Sequence, residues 1–404
     1  MSRTFTVCVV GGGPAGLAAA LATTHLLAAG CTSVTIPSVI LIAPHNSLRD
    51  ERTAGLFNCS IRLLKRLGVW DALAPLSAPL AGIRLADPSA RLFRAPEVLF
   101  LAREIGLDLL GYNVPNDILS DELWRLAGAT PGLELVDDTV VQVVSNGDGV
   151  EVVLASGETI DASLVVAADG RNSLCRSAAG IAVENVRYEQ CAVVARFAHS
   201  RPHQGISTEL QDVAGPCTTV PLPGNNSSLV WVVTPDVAPD LVGAGPEAFA
   251  RRLEDKLHGL LGSISGCRGI KAFPLSSMSA QVLARNRVAL VGEAGHLLPP
   301  IGAQGLNMGL ADAAAIAELV AGAVRDGIDP GAASILDAYH AARSGDVWRR
   351  SLAVDTLNRS YLSTLLPGHL LRGAGLHTLA AVGPLKREIM RRGLEPDPLP
   401  VLMR

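Results

Sequence analysis

The order of apolar and polar residues predicts α/β structure toward both ends of the chain and antiparallel strands between them. Apolar runs rich in β-branched residues, at residues 5–10 and 288–291, each precede a glycine-containing turn and a helical pattern. That order is typical of a parallel sheet covered by helices. Between residues 188 and 234, four short apolar runs separated by Pro and Gly predict an antiparallel sheet. After residue 330 the pattern is helical.

These patterns divide the chain into four predicted segments. The first domain is expected from residues 1–180, with an excursion into a second lobe near 75–100, and it resumes over 273–345. The antiparallel sheet, as a substrate domain, is expected over 181–272, and a helical region over 346–404. The predicted fold class is therefore α/β: a Rossmann-like domain with an inserted antiparallel-sheet domain and a helical C-terminus.

Composition narrows the class of function. Hydrophobic residues make up 49% of the 404 residues and charged residues 18%, which fits a well-buried enzyme. The net charge of -4 and the absence of a basic stripe argue against a nucleic-acid partner. The seven cysteines form no C-x-x-C pair and the nine histidines show no metal-ligand spacing, so we predict reduced thiols and no metal site. Without an apolar run of ~20 residues, we expect a cytoplasmic protein that meets a membrane only peripherally, at its inner face.

The N-terminal run predicts a dinucleotide site because it reads strand, G-x-G-x-x-G, helix. Gly11 supplies the tight turn, Gly13 permits close approach of a diphosphate, and Gly16 lets the helix pack on the strand. Pro14 and Ala15 lie between them. The alternative is a plain strand-to-helix turn.

One feature of such sites is missing. An acidic residue usually follows the second strand and holds the adenosine ribose. Here residues 38–42 predict that strand, and Ala43-Pro44-His45 follow it. Either His45 or Asn46 takes the ribose, or the ribose hydroxyls face water.

Two further turns carry charged residues. An apolar strand at residues 164–168 delivers Asp169 to the sheet edge where ligands bind, so its carboxylate could accept hydrogen bonds from ribitol or ribose hydroxyls. Arg171 and Arg176 lie nearby for phosphate. Arg52, in a charged turn, could bind phosphate with two N–H groups. By itself, each stretch could also be an ordinary solvated turn.

The third motif spans residues 287–312 and is where we expect the chemistry to be assembled. Glu293 follows the strand 288–291, Pro299 and Pro300 delay the next helix, and Gly302 and Gly305 let a ligand approach the backbone. The helix predicted from Leu306 would direct its N-terminal amides at that loop, where an anionic group is stabilised. The alternative is an ordinary strand, loop and buried helix.

The three motifs together resemble the single-component, class A flavoprotein aromatic hydroxylases, and among them the ubiquinone-biosynthesis hydroxylases. The resemblance runs from Val7 almost to the end of the chain and implies a p-hydroxybenzoate hydroxylase-like fold. The residues that carry it are Asp50-Glu-Arg-Thr53, Tyr112 with Asn116, Ala168-Asp-Gly-Arg-Asn-Ser173, Tyr188-Glu-Gln190, Pro299-Pro-Ile-Gly-Ala-Gln-Gly-Leu-Asn307 and Leu385-Lys-Arg-Glu-Ile-Met-Arg-Arg-Gly-Leu394.

The resemblance implies FAD as the cofactor, NAD(P)H as the electron donor and O2 as the co-substrate. Arg52 would join the glycine turn at the diphosphate, Asp169 and Glu293 would bind toward ribitol and phosphate, and residues 302–307 would lie along the isoalloxazine. The implied cofactor-binding residues are Gly11, Gly13, Pro14, Ala15, Gly16, Arg52, Asn116, Asp169, Gly292, Glu293, Gly302, Gln304, Gly305, Leu306 and Asn307. The usual Gly-Asp of the family is Gly292-Glu293 here, one methylene longer.

The implied reaction is hydroxylation of a hydrophobic aromatic substrate, a prenylated phenol of ubiquinone biosynthesis. In this family a C4a-hydroperoxide, formed from reduced flavin and O2, transfers oxygen to the phenolic ring. Pro300 would shape the space above the flavin, and we assign no general base. The lack of a second glycine motif fits a family in which the nicotinamide has no domain of its own.

Other functions stay open at this point. The chain could hydroxylate another aromatic compound or act as a prenyl reductase, whereas a halogenase is disfavoured because no W-x-W is present. It could also be a non-catalytic flavin-binding subunit of a quinone-biosynthesis assembly. The apolar segment 362–385 and the basic residues Lys386, Arg387, Arg391 and Arg392 either pack on the protein itself or contact a membrane surface or partner.

Overall fold

The structure is a computed structural model that describes residues 3–30, 38–45, 50–87, 96–211, 215–362 and 381–404. Two predictions fall outside these residues: Asn46 as a ribose contact, and most of the apolar segment that precedes Lys386. The described residues form two large sheets, a small third sheet and the helices that cover them.

Helices and strands are mixed in the first half of the chain, strands dominate the middle, and helices follow. The strands are β1 (Arg3–Val10), β2 (Val39–Ile42), β3 (Thr53–Phe57), β4 (Ala78–Leu80), β5 (Gly82–Ala86), β6 (Val98–Leu101), β7 (Gly111–Pro115), β8 (Leu133–Val136), β9 (Val140–Ser145), β10 (Val150–Leu154), β11 (Thr159–Ala167), β12 (Val183–His199), β13 (Ile206–Gln211), β14 (Pro216–Leu222), β15 (Asn226–Val233), β16 (Ile264–Ala280), β17 (Ala284–Arg285), β18 (Val288–Leu290) and β19 (His296–Leu297). The α-helices are α1 (Pro14–Gly30), α2 (Asn58–Arg66), α3 (Trp70–Leu73), α4 (Asn116–Ala129), α5 (Leu174–Ala178), α6 (Ala238–Gly243), α7 (Pro246–Lys256), α8 (Gln304–Arg325), α9 (Ala333–Leu362) and α10 (Gly383–Leu394). Short 3-10 helices lie at Ala74–Leu76, Ala102–Ile105, Gly292–Ala294 and Val401–Met403.

The first sheet is parallel at its centre and buried on both faces. Its order is β17-β18-β11-β1-β2-β8, and β10 pairs antiparallel with β11 and with β9. In β1, Val7 and Val9 belong to the core shared with α1 and α8, whereas Cys8 and Val10 belong to a second core on the other face. Because β18, β11, β1 and β2 are parallel, their carboxyl ends meet at one edge of the sheet.

Helices α1 and α8 pack side by side behind this edge because both are rich in small residues. A Cβ added to Gly309 would lie 3.2 Å from the Cβ of Ala15, so the two backbones are in close contact. In the described part of the chain, α8 is the one helix that is long and apolar enough to cross a membrane, and 72% of its apolar window is buried inside the protein. That burial is typical of a core helix.

The second sheet has the order β19-β16-β12-β15-β14-β13-β5-β6. All of its pairs are antiparallel except β13 with β5. One face packs against α6 and α7, through residues such as Phe197 and Leu229 against Phe249 and Leu253. β5 and β6 belong to the excursion expected near residues 75–100, and they pair with this sheet. The boundary predicted at residue 272 falls inside strand β16. The division into four segments itself stays a prediction.

The small third sheet has the order β3-β7-β4 and corrects one prediction. Residues 112–127 read as a single helix, but Gly111–Pro115 is a strand and the helix begins at Asn116. The reason is Pro115, which disfavours helical backbone in the residue before it and itself takes an extended conformation. Helix α8 also begins two residues before Leu306, because Ala303 takes a left-handed φ of 53° and forms the N-cap.

Candidate active site

A cavity of about 980 Å³ lies between the two large sheets and is the candidate active site. Loops at the carboxyl edge of the first sheet line one side of it, and the face of the second sheet that α6 and α7 leave free lines the other. We call this space the central cavity. The carboxyl edge of an open parallel sheet is where ligands bind in such folds, so the topology accounts for its position.

The glycine turn before α1 uses each of its three glycines differently. A Cβ on Gly11, whose φ is 116°, would lie 2.2 Å from the carbonyl oxygen of Ala168, and one on Gly16 would lie 2.1 Å from the carbonyl oxygen of Gly11. Gly13 has no atom within 4 Å of its Cβ position and lines the central cavity together with Pro14 and Ala15. Gly11 and Gly16 therefore serve packing, whereas Gly13 leaves space for a ligand at the helix N-terminus.

No carboxylate follows β2, and an aromatic pair occupies this end of the cavity. His45 stacks on Trp124 of α4 with ring centroids 4.8 Å apart, and its backbone N–H donates to Asp137 at 2.8 Å. Both rings line the cavity, as does Asp121, one turn before Trp124. A carboxylate therefore reaches this end from α4 instead of from β2.

Asp169 follows β11 directly and holds the start of α5. Its Oδ2 accepts the backbone N–H of Cys175 at 3.1 Å, while its Oδ1 is buried and has no hydrogen-bond partner among the described residues. Arg176 is buried and already paired, since it donates to the carbonyl oxygens of Ala294 and Arg171, each at 2.9 Å. Arg176 thus ties two cavity loops together and is not free for phosphate.

Arg52 and Asn116 share one carboxylate partner, Asp50. Arg52 donates to both oxygens of Asp50 at 2.8 Å, and Asn116 Nδ2 donates to Oδ2 at 3.0 Å. Partial burial raises the pKa of Asp50, but these hydrogen bonds outweigh it and the pKa lies below its ordinary value. The guanidinium of Arg52 also lies over the ring of Phe273, 5.4 Å from its centroid. Arg52 is therefore held at the cavity wall before any ligand binds.

The loop from Pro299 into α8 presents backbone to the cavity. Pro300, Gly302, Gln304, Gly305 and Leu306 line it, as do Gly292 and Glu293 from the neighbouring loop. Gln304 Nε2 donates to the carbonyl oxygen of Gly302 at 3.0 Å, and its Oε1 accepts from Arg350. The first amides of α8 therefore lie at the cavity, as predicted from the sequence.

Asn307 acts as a clamp between α8 and the small sheet. Its Oδ1 accepts the N–H of Phe57 at 2.9 Å and the hydroxyl of Ser60 at 2.7 Å. Its Nδ2 donates to the carbonyl oxygens of Gly55 at 2.8 Å and Ala303 at 2.7 Å. The side-chain amide is thus fully used inside the protein, and like Gly11 and Asp169 it is not part of the cavity wall itself.

A buried charge cluster beneath the site was missed at the sequence level. Asp312, in α8, accepts from Arg343 Nε at 2.8 Å and from the N–H of Gly292 at 3.1 Å, and His296 Nε2 lies 2.6 Å from its Oδ2. Burial raises the pKa of Asp312, but His296 and Arg343 outweigh it and lower the pKa to about 2. The sequence held one indication of this cluster: Asp312 is a single carboxylate within an alanine-rich stretch, and that stretch of α8 is buried.

The comparisons with known proteins agree with this geometry. A family profile described as an FAD binding domain matches residues 4–351. The chain belongs to this FAD-binding family of flavoprotein monooxygenases. It is 35% identical to the ubiquinone hydroxylase UbiL of Rhodospirillum rubrum, over 98% of this chain and 92% of that protein. It is 31% identical to the 3-demethoxyubiquinol 3-hydroxylase of Escherichia coli, over 96% of this chain and 98% of that protein.

The fold is that of the p-hydroxybenzoate hydroxylase-like flavoproteins, as predicted. The p-nitrophenol 4-monooxygenase PnpA of Pseudomonas putida superposes with a TM-score of 0.78 at 20% identity, over 98% of this chain and 99% of that one. PqsL of Pseudomonas aeruginosa, in complex with 2-aminobenzoylacetate, superposes with a TM-score of 0.75 at 20% identity, over 93% of this chain and all of that one. At these identities the likeness establishes the fold alone.

The residues of this flavoprotein fit FAD. The open space at Gly13 suits a diphosphate at a helix N-terminus. Asp169 lies between Ala168 and Gly170, which line the cavity, and its Oδ1 has no donor among the described residues, so a sugar hydroxyl at that wall can supply one. FAD is therefore the cofactor, with NAD(P)H and O2 as the co-substrates typical of the class. The individual contacts assigned to each residue stay predictions.

We expect Glu293→Ala to weaken retention of FAD. Glu293 is exposed within the cavity wall, and loss of a charged hydrogen-bond partner costs about 1.5–3 kcal/mol, or at least tenfold in Kd. The measurement is the Kd of FAD for the deflavinated protein, obtained from the quenching of flavin fluorescence as FAD binds. Glu247→Ala, an exposed glutamate of α7 outside the cavity wall, is the matched control. Equal affinity in both variants would leave Glu293 with no part in cofactor binding.

Proposed function

We propose that this flavoprotein hydroxylates the aromatic ring of a prenylated phenol in ubiquinone biosynthesis. The observation that carries the proposal is the central cavity, which runs from the glycine turn of α1 past the α8 loop to the free face of the second sheet. The central cavity can therefore hold a dinucleotide and, next to it, an apolar aromatic ring. The names of UbiL and of the 3-demethoxyubiquinol 3-hydroxylase support the choice of substrate class.

The protein's own residues bind, orient and exclude water. Gly13 and the first amides of α1 would hold the diphosphate, and Asp169 and Glu293 would accept hydrogen bonds from sugar or ribitol hydroxyls on either side of it. FAD, when bound, supplies the chemistry of reduction by NAD(P)H and activation of O2. The N-terminus of α8 would stabilise negative charge on the flavin ring. Pro300 would bound the space above that ring.

The far part of the cavity suits an apolar ring with a prenyl tail. Its wall includes Leu80, Ile83, Val194, Val220, Val230 and Phe273, contributed by β4, β5, β12, β14, β15 and β16. Burying a prenyl chain against such a wall stabilises the complex by about 25 cal/mol per Å² of apolar surface removed from water. Exclusion of water by the same tail would favour oxygen transfer to the ring.

The test of the pathway is the quinone profile of the host without this gene, measured by mass spectrometry. Accumulation of a prenylated phenol that lacks one oxygen would support the proposal and identify the ring position. An unchanged profile, in a host with no second hydroxylase of this class, would contradict it.

We further propose that α10 contacts an anionic membrane surface, so that the enzyme is peripheral at the inner face. Leu385 and Ile389 of α10, four residues apart on one side of the helix, and Val382, the residue before it, are 41–45% exposed. Arg391 and Arg392 are exposed at its end. An exposed apolar stripe beside basic residues suits the interface of an anionic bilayer.

Leu385→Glu combined with Ile389→Glu is expected to lower binding to vesicles about tenfold, because two apolar side chains would no longer leave water. Co-sedimentation with vesicles of phosphatidylcholine and phosphatidylglycerol measures the effect. Leu76→Glu, at a leucine of similar exposure (48%), is the control. If the double variant sediments like the control, α10 is not the membrane contact.

A further inference from the structure

One polar cluster, formed by Thr53, Asn113 and Ser228, interrupts the apolar part of the central cavity. Gly55 of β3 is the cross-strand partner of Asn113 of β7, so the two residues share a face of the small sheet. Thr53, two residues before Gly55, shares it too. A Cβ on Gly55 would lie 3.2 Å from the Cβ of Ala303, the N-cap of α8. The cluster therefore lies at the end of the cavity where the α8 loop is.

The hydrogen-bond geometry fixes the orientation of the Asn113 amide. Its Nδ2 donates to the carbonyl oxygen of Pro221 at 2.9 Å and to Ser228 Oγ at 3.3 Å. A carbonyl oxygen accepts only, so the group facing Pro221 must be the NH2 of the amide. The Oδ1 is thereby assigned to the other side.

The other polar groups of the cluster bond to one another and to backbone carbonyl oxygens. The hydroxyls of Thr53 and Ser228 lie 2.8 Å apart and either can be the donor, and the hydroxyl of Ser228 also lies 3.4 Å from the carbonyl oxygen of Val220. Both protons of the Asn113 NH2 are directed at Pro221 and Ser228. In either arrangement, no donor of the described residues lies within hydrogen-bonding distance of Asn113 Oδ1.

Asn113 Oδ1 is the unsatisfied member. The side chain is 0% exposed and forms part of the cavity wall, and Oδ1 has no partner among the described residues. Leu80 and Ile83 are apolar residues of the same cavity wall, and Leu80 Cδ1 would lie 3.8 Å from a Cβ on Gly55. A buried acceptor without a donor is unfavourable, so a ligand that brings an O–H group gains more here than one that brings an acceptor.

We propose that Asn113 is a specificity-determining residue whose Oδ1 accepts the ring hydroxyl of the substrate. The site would then take a phenol or hydroquinone and disfavour both the O-methyl ether and the quinone, which offer oxygen lone pairs and no proton. This inference rests on the proposed function and adds to it the residue that selects the ligand: through Asn113 the reduced, hydroxylated ring is preferred over the ether and the oxidised ring.

The experiment compares three ligands that share one prenyl tail: a prenylated phenol, its O-methyl ether and the corresponding 1,4-benzoquinone. Binding to the oxidised FAD-loaded enzyme is measured as Kd by the change in flavin absorbance, so no turnover is needed. For the unaltered enzyme we expect the phenol to bind about tenfold more tightly than either other ligand. Asn113→Leu, nearly equal in size, should weaken phenol binding to the level of the ether and leave the ether unchanged.

Asn226→Leu is the matched control. Asn226 also donates its Nδ2 to a proline carbonyl, that of Pro223 at 2.9 Å, but it is the partly exposed first residue of β15 and lies outside the cavity wall. Its variant should keep the full preference for the phenol. Asn113→Val, with a β-branched residue that suits a strand, replaces Asn113→Leu if the latter loses FAD.

Two outcomes would overturn the assignment: equal Kd values of the three ligands for the unaltered enzyme, or a preference for the phenol that survives Asn113→Leu or Asn113→Val. Failure of the proposed function is distinguishable, because then none of the three prenylated ligands binds. A steady-state check separates positioning from folding: Asn113→Leu should raise KM for the phenol more than it lowers kcat.

Discussion

Gly13→Asp is expected to abolish FAD binding while the protein stays folded. The Cβ position of Gly13 has no atom within 4 Å, so the protein itself has room for a side chain there. The same position lines the cavity at the N-terminus of α1, where a diphosphate is predicted to bind. The side chain of an aspartate would occupy this space and place its negative charge beside the negatively charged diphosphate. We therefore expect the affinity for FAD to fall at least a thousandfold, or about 4 kcal/mol.

The control for this experiment is Gly11→Ala. A Cβ on Gly11 would lie 2.2 Å from the carbonyl oxygen of Ala168, in a backbone conformation with a φ of 116°. This variant should therefore lower the free energy of unfolding, whereas Gly13→Asp should leave the circular dichroism spectrum and the unfolding midpoint of the apoprotein unchanged. FAD content after purification is the readout. A normal FAD content in Gly13→Asp would contradict the assignment of the glycine turn.

Asp312→Asn is expected to lower the free energy of unfolding by about 3–5 kcal/mol, the range found when one partner of a buried ion pair is removed. Both carboxylate oxygens of Asp312 are acceptors, toward Arg343 on one side and toward Gly292 and His296 on the other. An asparagine would turn its NH2 toward one of these donors and leave the buried guanidinium of Arg343 with Asp346 as its remaining carboxylate partner. Denaturant unfolding of the apoprotein measures the loss.

The same carboxylate predicts a pH dependence. The folded-state pKa of Asp312 is lowered from 3.8 to about 2, so its stabilising contribution is complete above pH 3.8 and is lost as the pH falls toward 2. The contribution is about 2 kcal/mol at most. Asp312→Asn should therefore show a shallower loss of stability over this window than the unaltered protein. Asp326→Asn, at an exposed carboxylate after the same helix, should show the same slope as the unaltered protein.

The motifs at the cavity and directly beside it were predictable because their chemistry is local. The turn 11–16, Asp169 after its strand, and the loop 299–306 were each identified from residue type and order, and the family and fold are confirmed by the comparisons. Short-range sterics and helix N-termini depend on neighbours in the sequence. Such features can be read before a fold is known.

Features that depend on distant residues were not predictable. Asp312 meets Arg343 and His296 only because α8, α9 and β19 converge, and no spacing in the sequence indicates that. The clamp formed by the Asn307 side chain was missed for the same reason: its partners Phe57, Ser60 and Gly55 lie about 250 residues away in sequence. Its assignment to cofactor binding stays a prediction. The strand before α4 was missed for a different reason: apolar residues within 112–127 also fit a helix, and the local signal of Pro115 against one was not used. Pairing with β3 and β4 completes the strand.

The most direct test of the proposed hydroxylation is turnover under 18O2. The purified enzyme, loaded with FAD, would be given NAD(P)H and a prenylated phenol, and the product analysed by mass spectrometry. If the enzyme hydroxylates the ring, we expect a product with one added 18O atom on the ring and one NAD(P)H oxidised for each product formed. NAD(P)H oxidation that yields only hydrogen peroxide for every prenylated phenol tested, or a product whose new oxygen comes from water, would contradict it.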